Sequence, residues 1–196
     1  MPKKLFVIGV GPGNQKYITE MAKEKIELSN YIIGYKYTLR TIEKLIDEEK
    51  QIIYEITMKN QESTYQYVYE NMKDGEFCLV PFTGDVNFSE SEVVDRLLEI
   101  FGDKNVEIIP GISSIQIASS KSRIPLDKSY IVSFHVTSDI EQKKIEMVKA
   151  ILDKKSVILV PRPWPKDPLK NFMESDIAFF LKEKGIDTSE IDVWVF

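Results

Sequence analysis

Short apolar runs alternate with helix-like segments over the first 122 residues of the chain. Five runs are typical of strands: residues 4–10, 31–35, 51–56, 76–82 and 106–111. A segment with helical spacing of apolar residues follows each run, as at Leu39, Ile42 and Ile46. Buried strands joined through helices form parallel sheets with helices on both faces. The pattern therefore predicts an α/β fold with a mostly parallel, open sheet, in which Gly75 and Gly102 end the third and fourth helices.

A proline and a change of polarity in residues 122–127 mark a predicted domain boundary. Beyond it, strand-like runs and helical segments alternate again, with strands expected at 130–136, 156–161 and 191–196 and helices at 139–155 and 167–185. We therefore predict an N-terminal α/β domain over residues 1–122. A smaller C-terminal α/β domain with a mixed sheet is expected over residues 123–196.

Composition and charge narrow the classes of function. The net charge is −5, which does not favour a nucleic-acid-binding protein. No segment approaches the ~20 apolar residues that a membrane-spanning helix requires. The one cysteine, Cys78, lies in an apolar run, where burial as a small hydrophobic residue is expected. One cysteine and one histidine provide no spacing typical of a metal site, so we expect a cytoplasmic protein without a metal.

The first strand runs directly into a glycine-rich turn, Gly9 to Gly13. The turn resembles a dinucleotide fingerprint, but Asn14 stands at the third glycine position and Pro12 lacks an N–H for a pyrophosphate. No carboxylate ends the second strand to bind a ribose, and no Gly-Lys-Ser/Thr follows for a phosphate loop. These features argue against ordinary NAD or ATP binding and leave open a tight turn without any ligand.

Two further glycine turns follow the fourth and fifth strands. Gly84 is followed by Asp85, which is either a ligand-binding carboxylate or the acceptor of an Asx turn. Gly111 is followed by Ser113 and Ser114, which suit either a ligand or the cap of a helix. Ligands of open α/β sheets bind at the carboxyl ends of the strands. Three such turns at one edge therefore predict a single ligand-binding rim.

Four stretches, in this order, resemble the tetrapyrrole (corrin/porphyrin) methylases: VIGVGPGNQKYIT (7–19), TGDVNFSES (83–91), IIPGISSIQIASS (108–120) and YIVSFHV (130–136). Within that family, the PGISSIQ stretch and the strand containing SFH resemble the precorrin-6Y methylase type. These are the cobalt-precorrin-7 (C5)-methyltransferases of cobalamin (vitamin B12) biosynthesis. The resemblance extends over essentially the whole chain.

The resemblance implies two α/β domains with S-adenosylmethionine bound between them, S-adenosylhomocysteine as product, and methylation of C5 of a cobalt-precorrin. It also implies a homodimer. The residues that it assigns to the cofactor are Pro12, Thr83, Gly84, Asp85, Phe88, Ser113 and Ser114. The catalytic base is unknown, and the lone His135 is the candidate that the family's histidine motif indicates.

This chain departs from the family pattern at two motifs. Val86 replaces the proline that usually follows Gly-Asp, and Val136 and Thr137 replace the Gly-Arg that usually follows the histidine. Relatives also tend to continue with a further strand or hairpin beyond the segment that matches 191–196. We therefore expect a second domain that is trimmed or completed by a partner subunit.

A tetrapyrrole substrate carries many carboxylates, so it requires cationic partners despite the acidic chain. The substrate-binding candidates are Lys121, Arg123 and Arg162, with Lys16 and Lys36 as further cations near the predicted rim. Each is otherwise a solvated surface charge. The proline-rich segment 161–168, with Trp164, is expected to form a lid over a flat ring or a rigid linker.

Two alternatives to this function remain open. One is another methyltransferase of the same fold, which acts on a different precorrin or on the modified histidine of a translation factor. The other is a cofactor-binding module without catalytic activity, which the altered Gly-Asp-Val and His-Val-Thr motifs leave possible.

Overall fold

The computed structural model describes residues 2–88, 90–136, 138–162 and 172–196. Contacts divide the chain into two compact units, Met1–Ser114 and Ile115–Phe196. The contact boundary lies at the start of a helix, Ser114–Ser122, whose first residue closes the first unit, whereas the sequence placed the boundary after residue 122. The division into two functional domains stays a prediction.

The first unit is a five-stranded sheet with helices between the strands. Its strands are β1 (Lys4–Gly9), β2 (Tyr31–Tyr35), β3 (Ile52–Ile56), β4 (Phe77–Phe82) and β5 (Val106–Ile109). The helices are α1 (Glu20–Leu28), α2 (Lys36–Ile42), α3 (Gln61–Asn71) and α4 (Ser91–Phe101). Helix α5 (Ser114–Ser122) starts at the last residue of this unit and otherwise belongs to the second unit. Every strand pair is parallel, in the order β3-β2-β4-β1-β5. The predicted mostly parallel, open sheet is confirmed.

The central strand β1 explains why the sheet forms. Its side chains alternate between the two faces: Leu5 and Val7 belong to one apolar core, and Phe6 and Ile8 belong to the other. All four are buried. Alternate residues of a strand point to opposite faces, so a strand that is apolar throughout requires cover on both sides. The helices on the two faces of the sheet provide that cover.

Cys78 on β4 is buried in the first of these cores, as its apolar surroundings predicted. Burial raises the pKa of its thiol, because the thiolate would lose its hydration. We expect no reaction of native protein with a thiol reagent at pH 8 and one equivalent of reaction after unfolding in guanidinium, followed by absorbance. Fast labelling of the native protein would contradict this burial.

Of the two predicted glycine helix ends, one is confirmed and one is wrong. Gly102 has φ 79° and is the C-cap of α4. Gly75 is not a cap, because α3 ends at Asn71 with Met72 as its C-cap. Gly75 lies instead in the turn before β4 with φ 89°, a left-handed conformation that glycine adopts without strain. The helical periodicity therefore ends one turn earlier than the glycine.

The second unit contains a smaller sheet. Strands β6 (Ser129–Ser133) and β7 (Ser156–Val160) pair in parallel, and α6 (Glu141–Leu152) connects them. Helix α7 (Glu174–Glu183) follows, and its Ile177 packs in an apolar core with Phe134 and Met147.

The predicted strand at 191–196 is wrong. These residues have no regular secondary structure, and the side chains from Val193 to Phe196 are between 55% and 74% exposed. A strand requires a hydrogen-bonding partner as well as apolar residues, and none of the described strands pairs with this segment. The apolar composition of residues 191–196 was therefore not sufficient to form a strand. A mixed sheet was expected in this unit, and its two described strands, β6 and β7, pair in parallel.

None of the helices in the described ranges is long and apolar enough to cross a membrane.

Candidate functional site

The strand order brings the three glycine turns to one place. Strand β1 lies between β4 and β5, and all three strands run in the same direction. The turns that follow them therefore lie side by side at the carboxyl edge of the sheet, as the sequence predicted. We call this edge the glycine rim, defined by residues 9–13, 83–88 and 110–114.

The first and second turns of the rim are hydrogen-bonded to each other through their backbones. The Gly11 N–H donates to the Gly84 carbonyl at 3.1 Å, and the Gly84 N–H donates to the Gly11 carbonyl at 2.8 Å. Both residues have left-handed backbones, with φ 79° and 71°. Glycine is favoured there because other residues are strained in this region. The glycines thus join two loops into one rigid surface.

The third turn packs against the first two so closely that side chains are excluded. A Cβ placed on Gly9 would lie 2.6 Å from the Gly111 nitrogen and 2.6 Å from the Gly84 carbonyl oxygen. A Cβ on Gly111 would be closer still to the Gly84 oxygen and 2.6 Å from the Gly9 carbonyl carbon. Backbone atoms at these distances cannot yield as side chains can. Gly9 and Gly111 are therefore required for packing between the turns.

Asp85 connects the second turn to the third. Its Oδ1 accepts hydrogen bonds from the backbone N–H of Asn87 at 3.1 Å and from the side-chain amide of Asn87 at 3.0 Å. The same oxygen accepts from the Gly111 N–H at 3.4 Å. The first of these contacts is the Asx turn that was the alternative to ligand binding. Asp85 therefore organises the rim, and the half-buried carboxylate has a second oxygen besides Oδ1.

The remaining residues assigned to the cofactor by resemblance also lie at the rim. Ser113 is buried, and its Cα lies 3.9 Å from a Cβ placed on Gly84. Pro12 and Phe88 are half-buried, whereas Thr83 and Ser114 are exposed. Among the described residues, only that Cα lies within 4 Å of the Cβ position of Gly84, at an ordinary van der Waals distance. The rim is thus lined with backbone beside Gly84.

The other candidate residues belong to the second unit or to the surface. Lys121 is exposed, and its ammonium lies 5.5 Å from the ring centroid of Phe196. Arg123 is exposed with a left-handed backbone, φ 58°. Arg162 is buried, and its guanidinium donates to the Ser138 carbonyl at 3.1 Å, which is a contact within the fold and not the solvated surface charge considered above. Lys16 and Lys36 are exposed in the first unit.

His135, the catalytic candidate, has an exposed side chain. Its backbone N–H donates to the Ser133 hydroxyl at 3.2 Å. Partial desolvation lowers the pKa of the imidazole, which favours its neutral form near pH 7.

Three predicted features fall outside the described part of the chain. Trp164 and most of the proline-rich segment 161–168 lie there, and so does Thr137 of the altered histidine motif. Among the residues that are described, no group of three His, Cys, Asp or Glu side chains is placed to hold a metal ion.

Sequence reasoning missed one group at the edge of the rim. Glu90 is the residue before α4, and burial raises the pKa of its carboxyl group to about 7. Its side chain makes no capping hydrogen bond to α4, although a residue at this position often does. Only its place directly after the second glycine turn could have indicated it, because an acidic residue at a helix start is common for structural reasons.

The sequence of the chain matches the family model of the tetrapyrrole (corrin/porphyrin) methylases over residues 4–195. The family match covers nearly every residue of the chain. It agrees with the α/β fold, whose parallel sheet carries three glycine turns at its carboxyl edge. The chain belongs to the tetrapyrrole methylase family. It is 30% identical over 194 residues to a probable cobalt-precorrin-7 C(5)-methyltransferase of Methanocaldococcus jannaschii, with 97% of this chain and 82% of the relative covered.

Solved structures show the same fold. The methyltransferase CobJ superposes with a TM-score of 0.73 at 15% identity, over 93% of this chain and 76% of that one. The precorrin-6Y methylase of Archaeoglobus fulgidus superposes with a TM-score of 0.57 at 22% identity, over 81% and 73% of the two chains. The predicted family and fold class are confirmed, and the chain is related to methyltransferases of cobalamin biosynthesis.

Proposed function

We propose that this protein is an S-adenosylmethionine-dependent methyltransferase that methylates C5 of a cobalt-precorrin in cobalamin biosynthesis. The observation that carries the proposal is the similarity to the probable cobalt-precorrin-7 C(5)-methyltransferase, which covers 97% of this chain and 82% of the relative. The geometry of the glycine rim supports it, because seven residues assigned by resemblance lie on three adjacent turns.

The rim suits a cofactor that carries no phosphate. Pro12 has no N–H to donate, and the backbones of Gly11 and Gly84 are already hydrogen-bonded to each other. Because Gly84 has no side chain, an adenosyl group would lie directly against backbone atoms there. The residues that would hold S-adenosylmethionine are Pro12, Thr83, Gly84, Asp85, Phe88, Ser113 and Ser114. When bound, the cofactor supplies a methyl group on a positively charged sulfur.

The protein's own contribution to this chemistry is positioning and exclusion of water. A ring carbon with enamine character is already nucleophilic, so no residue needs to activate it before methyl transfer. The rigid rim would fix the reactive group, and fixed reactants gain rate through proximity. Lys121, Arg123 and Arg162 stay predicted contacts for the carboxylates of the substrate, although Arg162 already donates to a backbone carbonyl.

Titration calorimetry with S-adenosylhomocysteine tests the cofactor, and methyl transfer to cobalt-precorrin-7 tests the substrate. We expect saturable binding and one new methyl group at C5, identified by NMR of the product. No binding would overturn the methyltransferase proposal. Binding with transfer only to another precorrin would favour the alternative methyltransferase, and binding without transfer to any precorrin would favour the cofactor-binding module.

The role of Asp85 can be separated into hydrogen bonding and charge. Asp85→Ala removes the acceptor for Asn87 and Gly111, so we expect S-adenosylhomocysteine to bind about tenfold more weakly, the value of one charged hydrogen bond. Asp85→Asn keeps an oxygen in the same place and should bind within about threefold of the unaltered protein. Calorimetry on both variants measures this. Equal losses would mean that the charge itself is required.

A homodimer and a cytoplasmic location follow from the resemblance and the composition, and both stay predictions. Sedimentation at several protein concentrations tests the dimer.

A further inference from the structure

An exposed aromatic side chain lies against the first turn of the glycine rim. Tyr37, the second residue of α2, is 64% exposed, although its ring is large and mostly apolar. Its hydroxyl lies 3.1 Å from the position that a Cβ on Gly13 would occupy. A glycine at residue 13 therefore lets the tyrosine approach the backbone of the turn closely.

Two hydrogen bonds hold α2 in this place. The side-chain amide of Gln15 donates to the Thr41 carbonyl at 3.2 Å, which connects the end of the first turn to the helix. The Thr41 hydroxyl in turn donates to the Tyr37 carbonyl at 3.2 Å. The start of α2 is therefore fixed beside the glycine rim, within the same compact unit.

The fold itself keeps Tyr37 exposed. Thr38, Thr41 and Ile42 form the buried face of α2, so the helix cannot turn its tyrosine inward without exposing them. The ring of Tyr37 makes no aromatic or cation–π contact among the described residues. An exposed ring of this kind adds little to the stability of the fold, whereas aromatic rings contribute much of the energy of binding interfaces.

Cations flank Tyr37 on the exposed surface of α2. Lys36 precedes it, and Arg40 follows it by three residues, a spacing that places two side chains next to each other on a helix. Both cations are exposed, and neither forms an ion pair in the part of the chain that the structure describes. The next turn adds Glu43 and Lys44, whose opposite charges leave the surface cationic.

A further cation comes from the first turn. Lys16 follows Gln15, is exposed, and has no ion pair with any described residue. The chain as a whole carries a net charge of −5, so unpaired cations around one exposed ring contrast with the rest of the protein. A flat molecule with carboxylates at its edge is complementary to this arrangement, since the ring offers a packing surface and the cations offer partners for the carboxylates.

We propose that Tyr37, Lys36 and Arg40, with Lys16, form a binding surface for the polycarboxylate macrocycle of the substrate. We call these four residues the α2 surface. This inference rests on the proposed function, and it adds contacts in the first unit to the cations predicted in the second. The ring of Tyr37 packs against the face of the macrocycle, and the planar guanidinium of Arg40 suits a carboxylate through two parallel hydrogen bonds. A substrate held there lies next to the proposed cofactor site, as methyl transfer requires.

Binding of cobalt-precorrin-7 in the presence of saturating S-adenosylhomocysteine, followed by absorbance, tests the role of the ring. Tyr37→Ala should weaken this binding about tenfold, the value of one well-packed aromatic contact. Tyr37→Phe keeps the ring and should remain within about threefold of the unaltered protein. Tyr67→Ala is the matched control, because it removes another exposed tyrosine of the same unit, on α3, and should bind as the unaltered protein does.

The same titration tests the cations. Lys36→Gln and Arg40→Gln should each weaken binding of cobalt-precorrin-7 about threefold, and the double variant about tenfold, because exposed ion pairs are individually weak. Rising salt should weaken binding to the unaltered protein more than to the double variant, because salt screens exposed charges. Lys73→Gln removes an exposed lysine elsewhere in the unit and should change neither result. In steady-state assays the double variant should show a raised KM and an unchanged kcat.

Binding of the cofactor product separates the possible failures. S-adenosylhomocysteine should bind Tyr37→Ala as it binds the unaltered protein, and weaker binding would place the tyrosine at the cofactor and overturn its role toward the substrate. Unchanged substrate binding in Tyr37→Ala and in the double variant would overturn the α2 surface and leave an active methyltransferase intact. Loss of self-association in Tyr37→Ala, with substrate binding unchanged, would assign the surface to a second copy of the chain and overturn the inference. Absence of both cofactor binding and transfer in the unaltered protein would overturn the proposed function together with the surface.

Discussion

Gly111→Ala is expected to lower the free energy of unfolding of the first unit by about 3 kcal/mol, the upper part of the range for overpacking. The added Cβ would overlap the backbone oxygen of Gly84 and the carbonyl carbon of Gly9. Neither atom belongs to a flexible side chain, so relief requires the turns to separate. Separation breaks the contact between the Gly111 N–H and Asp85 and opens the rim. Urea unfolding followed by circular dichroism measures the loss, and calorimetry should detect no binding of S-adenosylhomocysteine.

Gly75→Ala is the matched control for this substitution. Gly75 belongs to the same unit and has a left-handed backbone, but a Cβ there would have no described residue within 4 Å. Its expected effect is the conformational strain alone, about 1 kcal/mol. If the two variants unfold at the same urea concentration, the close approach of the three turns is not what makes Gly111 necessary.

Glu90→Gln is expected to stabilise the protein at pH 8, by about 2 kcal/mol, and to have little effect at pH 5. The folded protein holds the proton of Glu90 up to about pH 7, whereas the unfolded chain releases it near the ordinary glutamate pKa of 4.5. The folded state thus binds more protons in this interval, so the stability of the unaltered protein falls as the pH rises through it. The full shift of the Glu90 pKa would change the free energy of unfolding by more than about 2 kcal/mol. Partial solvation of the carboxyl group reduces this change.

Urea unfolding at half-unit intervals between pH 5 and 8 measures this effect. Glutamine cannot ionise, so the stability of Glu90→Gln should lack the decrease that the unaltered protein shows. Glu92→Gln changes an exposed carboxyl and should follow the unaltered protein at every pH. Curves of equal slope for Glu90→Gln and the unaltered protein would show that the carboxyl of Glu90 is well solvated in the fold. If Glu90→Gln is more stable than the unaltered protein, the Glu90 carboxylate lowers the stability of the fold, which is common for residues that serve function.

Much of the first unit was predictable because local composition and burial agree there. Strands such as Lys4–Gly9 are apolar at successive positions, and this pattern suits a parallel sheet covered on both faces. The three glycine turns were predictable as one rim, because parallel strands place their carboxyl ends at the same edge. Segment 191–196 shows the limit of this reasoning. Its residues are equally apolar, but a strand exists only where a neighbouring strand supplies hydrogen bonds.

The role of each rim residue was not predictable to the same degree. Asp85 was predicted to contact a ligand, with an Asx turn as the alternative, and only its contact with Gly111, 26 positions away, revealed that it also joins two turns. Arg162 was a candidate substrate contact, with a solvated surface charge as the alternative, yet it is buried and donates to the Ser138 carbonyl. Such outcomes depend on which distant backbone groups lie within hydrogen-bonding distance, and local sequence patterns carry no information on that distance.

The sequence alone was sufficient to predict the family, the parallel α/β class and the glycine rim. These features depend on the spacing of apolar residues and on glycines that directly follow predicted strands. Folding determined which glycines touch and which carboxyl groups are buried. Gly111 and Glu90 differ from Gly75 and Glu92 in their surroundings and not in their chemistry. Packing between distant segments sets those surroundings, because it decides where water is excluded and where backbones meet.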